Sequence, residues 1–184
     1  MKFILASQSP RRRELLGIIA DTFEVKPSNV EEILPDGLES VKGPEYLAKI
    51  KAKDIAKNHP NDIVIGADTS VFLGDKVLGK PKDREDAFNM LKALSGNTHT
   101  VITGCANIKG DKPDSFSVVS EVEFFPLSDD DINAYLDTDE PYDKAGSYGI
   151  QAKGASFVKE IRGDYFNIVV LPIGELNRHL KNFI

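Results

Sequence analysis

The sequence predicts an α/β protein, and three observations carry that reading. The chain opens on a continuous apolar run, Phe3 to Ala6, that leads straight into a helix-start signal at Ser9-Pro10. Three β-branched residues in a row, Ile63-Val64-Ile65, mark a second fully buried strand. Between and after them run segments with apolar residues at helical spacing. Strands alternating with amphipathic helices indicate a parallel or mixed sheet covered by helices.

The elements follow in order. Ser9 caps and Pro10 starts a first helix that runs to about Ile19. Its first turn holds Arg11, Arg12 and Arg13. The helix N-terminus is already positive, so cations are unfavourable there. An anion held by the helix end, the serine hydroxyls and the guanidinium groups removes that conflict. A single arginine is by default solvated; three arginines with two serines favour a bound phosphate chain. Phe23 to Val25 reads as a short strand, and Pro27 to Gly43 as a polar irregular stretch carrying Glu31 and Glu32. A second helix runs from Gly43-Pro44-Glu45 to about Asn58. Its expected apolar face is Leu47, Ile50 and Ile55, with Ala48, Ala52 and Ala56 as fillers. Lys51 shares that face. Such a lysine ordinarily snorkels to water; the sharper reading is that it meets an anion.

Ile63 to Thr69 is the next strand, ending in Gly66-Ala67-Asp68-Thr69. Ligand groups gather at the carboxyl ends of strands in such sheets, where Asp68 and Thr69 are expected. Ser70 to Leu73 and Val77-Leu78 read as a hairpin that delivers Gly79-Lys80-Pro81 into a loop. Asp83 to Ser95 is a third helix stopped by Gly96. Thr98 to Ile108 and Phe116 to Phe125 are strands, and Ser128 caps a helix to Leu136 with three aspartates in its first turn. Those acids suit the dipole. The segment Lys144 to Gln151 is glycine-rich and reads as flexible. Phe157 to Ile161 and Tyr165 to Val170 read as a last hairpin, and Pro172 starts a closing helix.

Bulk properties narrow the function. The 184 residues suffice for one ordinary domain or two small lobes sharing a core. A formal net charge of -6 argues against a protein that coats nucleic acid or anionic membrane. Cys105 is the single cysteine, so no intrachain disulfide forms and a cysteine-based metal site is disfavoured. No apolar stretch approaches the roughly 18 residues of a membrane span, and the expectation is a cytoplasmic protein. Arg11 to Arg13, Lys51 and Lys80 form a cationic set; Glu31, Glu32 and Asp68 form an acidic one. The mixture suits phosphoryl chemistry, with cations on phosphate oxygens and carboxylates on Mg²⁺ or water. The plain alternatives are a solvated loop for Glu31 and Glu32, a turn or cap residue for Asp68, and an exposed loop lysine for Lys80. The sequence has no P-loop, no dinucleotide-binding glycine motif and no serine-hydrolase elbow.

Leu5 to Arg12, Val30-Glu31-Glu32, Gly66-Ala67-Asp68-Thr69, Gly79-Lys80-Pro81, Leu94-Ser95-Gly96 and Asp143 to Gln151 together resemble the Maf-like nucleotide pyrophosphatases, in order and over nearly the whole chain. The resemblance implies a single Maf-like domain over residues 1–184. It also implies an elongated mixed α/β fold with two lobes around a cleft, similar to the inosine triphosphate pyrophosphatases. The implied activity is divalent-metal-dependent (Mg²⁺ or Mn²⁺) cleavage of nucleoside triphosphates to monophosphate and pyrophosphate, and homodimers are common in the family. By motif, Asp68 matches the catalytic acid that activates water. Arg11, Thr69 and Gln151 match the specificity positions of the dTTP/UTP branch. Ser7, Arg12, Glu32, Lys51 and Lys80 match residues that contact phosphates or metal, with Glu32 and Asp68 as the metal pair. Val170 replaces a usual glycine, a departure expected to lie far from the motifs and to affect only a local turn. The competing reading is a non-catalytic nucleotide-binding regulator of cell division, in which Asp68 is dispensable.

Overall fold

A computed structural model describes residues 2–183. Seven strands form one mixed sheet in the order β2-β1-β3-β5-β6-β7, with β4 paired to β3. The strands are β1 (Phe3–Leu5), β2 (Phe23–Val25), β3 (Ile63–Leu73), β4 (Lys76–Leu78), β5 (Thr98–Lys109), β6 (Lys112–Phe124) and β7 (Val158–Arg162). The helices are α1 (Pro10–Ile19), α2 (Gly43–Ala56), α3 (Arg84–Leu94), α4 (Asp129–Leu136), α5 (Tyr165–Val169) and α6 (Ile173–Leu180). The chain divides into two compact units. One comprises residues up to Thr69, Thr103–Val118 and Val170 onward; the other comprises Ser70–Ile102 and Val119–Val169.

In the first unit β1 pairs in parallel with both β2 and β3, Leu5 lying opposite Val25 on one side and Ile65 on the other. Helix α2 covers one face of these strands. Its buried stripe is Ala48, Ala52 and Ala56, packed on Ile4, Ala6, Val64 and Ala106. Leu47, Ile50 and Ile55 are only partly buried, so the expected apolar face is corrected to the alanine face. Close approach selects the face here. A Cβ on Gly66 would stand 2.3 Å from the Ala48 carbonyl oxygen, and one on Gly104 would stand 2.2 Å from the Glu45 nitrogen. A leucine stripe would hold the helix too far out. The other face carries α1, which packs against α6 and buries Leu15 and Leu16.

In the second unit β4 folds back antiparallel on the end of β3, and β7 pairs antiparallel with β6. Helix α3 packs on α4, which begins with a capping box between Ser128 and Asp131. His99, Phe124 and Tyr148 form an edge-to-face aromatic cluster. The segment expected to be flexible is buried from Gly146 to Ile150. Gly146 takes a φ of 73° and abuts Val71, with its N–H bonded to the Gly79 carbonyl at 3.1 Å.

Two further expectations are corrected. β3 does not stop at Thr69 but runs to Leu73, so Asp68 and Thr69 are mid-strand. They lie beyond the carboxyl end of β1, whose pairing with β3 stops near Ile65. The last expected strand, Tyr165 to Val170, is the helix α5 instead. Its β-branched and aromatic composition suggests a strand, but Asp164 accepts from the Phe166 N–H at 2.7 Å and starts a helical turn. The turn buries Asn167, Ile168 and Val169 together.

Candidate functional site

The first unit builds two clusters on opposite faces of β3. Side chains alternate along a strand. Gly66 faces α2, so Asp68 faces the same way and Thr69 faces away.

On the α2 face, Lys51 Nζ lies 2.8 Å from Asp68 Oδ1 and 2.9 Å from Glu32 Oε1. Lys51 and Asp68 are mostly buried, at 13% and 14% side-chain exposure, whereas Glu32 is half exposed at 52%. Lys51 reaches this position from the flank of the alanine stripe, three residues after Ala48. Burial raises the Asp68 carboxyl above its ordinary value, and the Lys51 ammonium opposes that rise.

On the other face, Arg12 projects from the first turn of α1. Its Nη1 donates to Ser7 Oγ at 3.3 Å, its Nη2 to Thr69 Oγ1 at 3.1 Å and its Nε to the Val170 carbonyl at 3.2 Å. All three acceptors are neutral. Burial pushes the Arg12 guanidinium below its ordinary value, while the charge of nearby Asp68 pulls it back. Ser7 Oγ also accepts the Ser9 N–H at 3.2 Å, and Ser9 Oγ caps α1 by accepting the Arg12 N–H at 3.4 Å. Thr69 Oγ1 lies 2.9 Å from Thr103 Oγ1 and 3.4 Å from the Val170 carbonyl. A threonine has one hydroxyl hydrogen. If Thr69 gives it to Val170, Thr103 is the donor to Thr69, and the chain of bonds has one direction. Cys105, also buried, has its thiol pushed up to about 12 by burial, so it is not a thiolate nucleophile.

Of the residues singled out in the sequence, Ser7, Arg12 and Thr69 meet in one cluster and Glu32, Lys51 and Asp68 in the other. Arg11 is partly buried and Arg13 exposed on α1, and Glu31 is exposed. Lys80 and Gln151 are exposed residues of the second unit. An open groove of about 1000 Å³ beside α1 is lined by Ser7, Gln8, Ser9 and Arg13, without Lys51, Asp68 or Thr69. Two participants escape sequence reasoning. Thr103 sits in a β-strand run where threonine is ordinary. Val170 is not remote from the motifs, as expected, but contributes its carbonyl to the Arg12 cluster. The available signal is the departure from glycine that the motif resemblance implies at this position; its φ is +147°, a region costly for a β-branched residue.

Among the described residues no three of His, Cys, Asp and Glu gather as a ready metal site. The pair Glu32 and Asp68 nonetheless fits a hard divalent cation, because Mg²⁺ is commonly held by one or two carboxylates with substrate phosphates and waters completing its shell.

The fold and these clusters define a class: a mixed α/β protein that sets a mostly buried carboxylate and a partly buried guanidinium on the two faces of one strand. The chain belongs to the Maf-like protein family, whose model matches residues 2–183. It is 49% identical over 182 residues to a dTTP/UTP pyrophosphatase of Bacillus cytotoxicus, covering 99% of this chain and 95% of that one. It is 46% identical over 182 residues to a dTTP/UTP pyrophosphatase of Bacillus velezensis, covering 99% and 96%. The Staphylococcus aureus Ham1 protein shares the fold, with a TM-score of 0.59 at 16% identity over the full length of both chains. No helix among the described residues is long and apolar enough to cross a membrane.

Proposed function

We propose that the protein hydrolyses nucleoside triphosphates, with dTTP and UTP as its substrates, to the monophosphate and pyrophosphate. The observation that carries the reading is Asp68: a mostly buried carboxylate, raised by burial and held against Lys51, with the Arg12 charge close by. The names of relatives at 46 to 49% identity support the substrate class.

In the proposed mechanism Arg12, fixed by three neutral acceptors, presents its charge to phosphate oxygens without being neutralised by a protein carboxylate. Ser7 adds hydroxyl contacts and Arg11 a further charge. Asp68 takes a proton from the attacking water as the new P–O bond forms at the α-phosphorus. The bond from that phosphorus to the bridging oxygen breaks, and pyrophosphate leaves with the electron pair. Lys51 neutralises charge developing on the phosphates. Glu32 and Asp68 would hold a divalent cation, Mg²⁺ or Mn²⁺. Such an ion, when bound, supplies Lewis-acid polarisation of phosphate oxygens and a more acidic water. Thr69 and Gln151 set pyrimidine preference, and Lys80 contacts phosphate; for Gln151 and Lys80 the support is the motif resemblance alone. A cytoplasmic homodimer completes the proposal, checked by light scattering for twice the chain mass.

The test is pyrophosphate release from dTTP, UTP and GTP, with and without Mg²⁺ or Mn²⁺. Metal-dependent release from dTTP and UTP exceeding that from GTP supports the proposal. Tight triphosphate binding with no release, unaffected by Asp68→Asn, would establish the regulator instead.

A further inference from the structure

Val170 stands at φ +147°, one of two described non-glycine residues at positive φ. Its carbonyl is the meeting point of the Arg12 cluster, accepting Arg12 Nε at 3.2 Å and Thr69 Oγ1 at 3.4 Å. Such a conformation in a β-branched residue persists only where the surroundings over-determine it. Here the carbonyl is held by two donors from one side, and the following Leu171 and Pro172 are buried. Strain of this kind is concentrated where geometry serves function.

We infer that Val170 is a positioning residue, whose strained peptide aims its carbonyl to fix the Arg12 guanidinium and the Thr69 hydroxyl for the substrate triphosphate. The substrate part rests on the hydrolase reading above. Nε and the two Nη groups each have an anchor, so the guanidinium plane has one orientation. Glycine takes the same φ without a Cβ penalty and also explores others. Replacing Val170 therefore releases the strain and loosens the carbonyl at once. Those two effects move stability and affinity in opposite directions, which simple loss of packing does not do.

The experiment compares Val170→Gly and Val170→Ala with the wild-type chain. Alanine keeps the Cβ and so most of the backbone constraint, while losing the two γ-methyl groups that glycine also lacks. For V170G the melting temperature rises by about 2–4 °C, and KM for dTTP and UTP rises roughly three- to tenfold with kcat changed less than about twofold. V170A moves KM less than half as far and does not raise the melting temperature. An unchanged or lowered melting temperature in V170G, an unchanged KM, or equal KM effects of glycine and alanine overturns the inference. If the wild type fails to release pyrophosphate, the hydrolase reading falls separately. Calorimetric affinity for a non-hydrolysable triphosphate analogue then reads the same positioning, and equal affinities of wild type and V170G overturn it.

Discussion

Asp68 and Thr69 are neighbours in sequence, yet the two faces of β3 treat charge in different ways. On the α2 face a buried carboxylate meets an ammonium directly, with a second, half-exposed carboxylate on the same lysine. On the other face a guanidinium has only a hydroxyl from Ser7, a hydroxyl from Thr69 and a backbone carbonyl. Desolvation weighs on both. On the α2 face the opposite charge offsets it at contact distance. On the Arg12 face the offset comes from Asp68 without a direct bond. The difference separates two tasks. A paired carboxylate can be tuned as a base, and a cation held by neutral groups keeps its charge for an incoming anion.

The comparison breaks most sharply at Asp68. Asp68→Asn keeps the shape and removes the base. Turnover of dTTP falls by about 10³, while the melting temperature moves little, since the variant also removes a buried charge. Steady-state kinetics beside a thermal melt checks both halves. Near-normal turnover would exclude Asp68 from the chemistry.

Arg12→Lys tests the other face. Lysine retains a charge but cannot reach three acceptors in a fixed fork. We expect kcat/KM to fall about 100-fold, equivalent to about 2.7 kcal/mol, mainly through KM. A loss confined to kcat would place Arg12 in the chemical step rather than in binding.

The two faces were not equally legible in the sequence. Lys51 is odd on helical grounds, because it stands four residues from both Leu47 and Ile55, and Asp68 follows a buried β-branched run. Both signals are local. The α1 start was legible for the same reason, since Ser9-Pro10 specifies cap and first turn within two residues. The Arg12 cluster depends on contacts 57 and 158 residues away, one of them to a carbonyl that any residue supplies. No side-chain pattern announces such a partner. Thr103 hides for another reason: threonine is a normal strand residue, so its hydroxyl carries no signal until its neighbour is known. The misread strand at Tyr165 and the misplaced face of α2 share a cause. Propensity and bulk favoured one answer, while a capping aspartate in one case and two close-approach glycines in the other decided for the alternative.

Lys51→Met sharpens the electrostatics of the α2 face. Without the ammonium, only the Arg12 charge still opposes the effect of burial on Asp68, so its pKa climbs further. The acid limb of kcat/KM, where Asp68 must be ionised, moves up by about one pH unit or more. Stability follows the same sign. A carboxyl whose folded pKa lies above its unfolded value favours folding when protonated, and that advantage is lost as pH rises through the folded pKa. The variant is therefore destabilised more at pH 8 than at pH 5, on the order of 3 kcal/mol at the upper end. Denaturant melts at the two pH values measure it. Equal destabilisation at both would mean that Lys51 contributes packing alone.

The smallest effect belongs to Thr103, which meets the Arg12 cluster at the Thr69 hydroxyl. Thr103→Val keeps the volume and deletes the hydroxyl. Thr69 then retains its bond from Arg12 and its own hydrogen for the Val170 carbonyl, but loses the hydroxyl partner 2.9 Å away. The expected loss of stability is about 1 kcal/mol. KM for dTTP should rise about threefold with kcat unchanged. Thr103→Ser, which restores the hydroxyl without the methyl, separates the bond from the packing: it should recover KM while remaining less stable than wild type. If serine recovers stability but not KM, Thr103 supports the strand and has no bearing on how Arg12 is held.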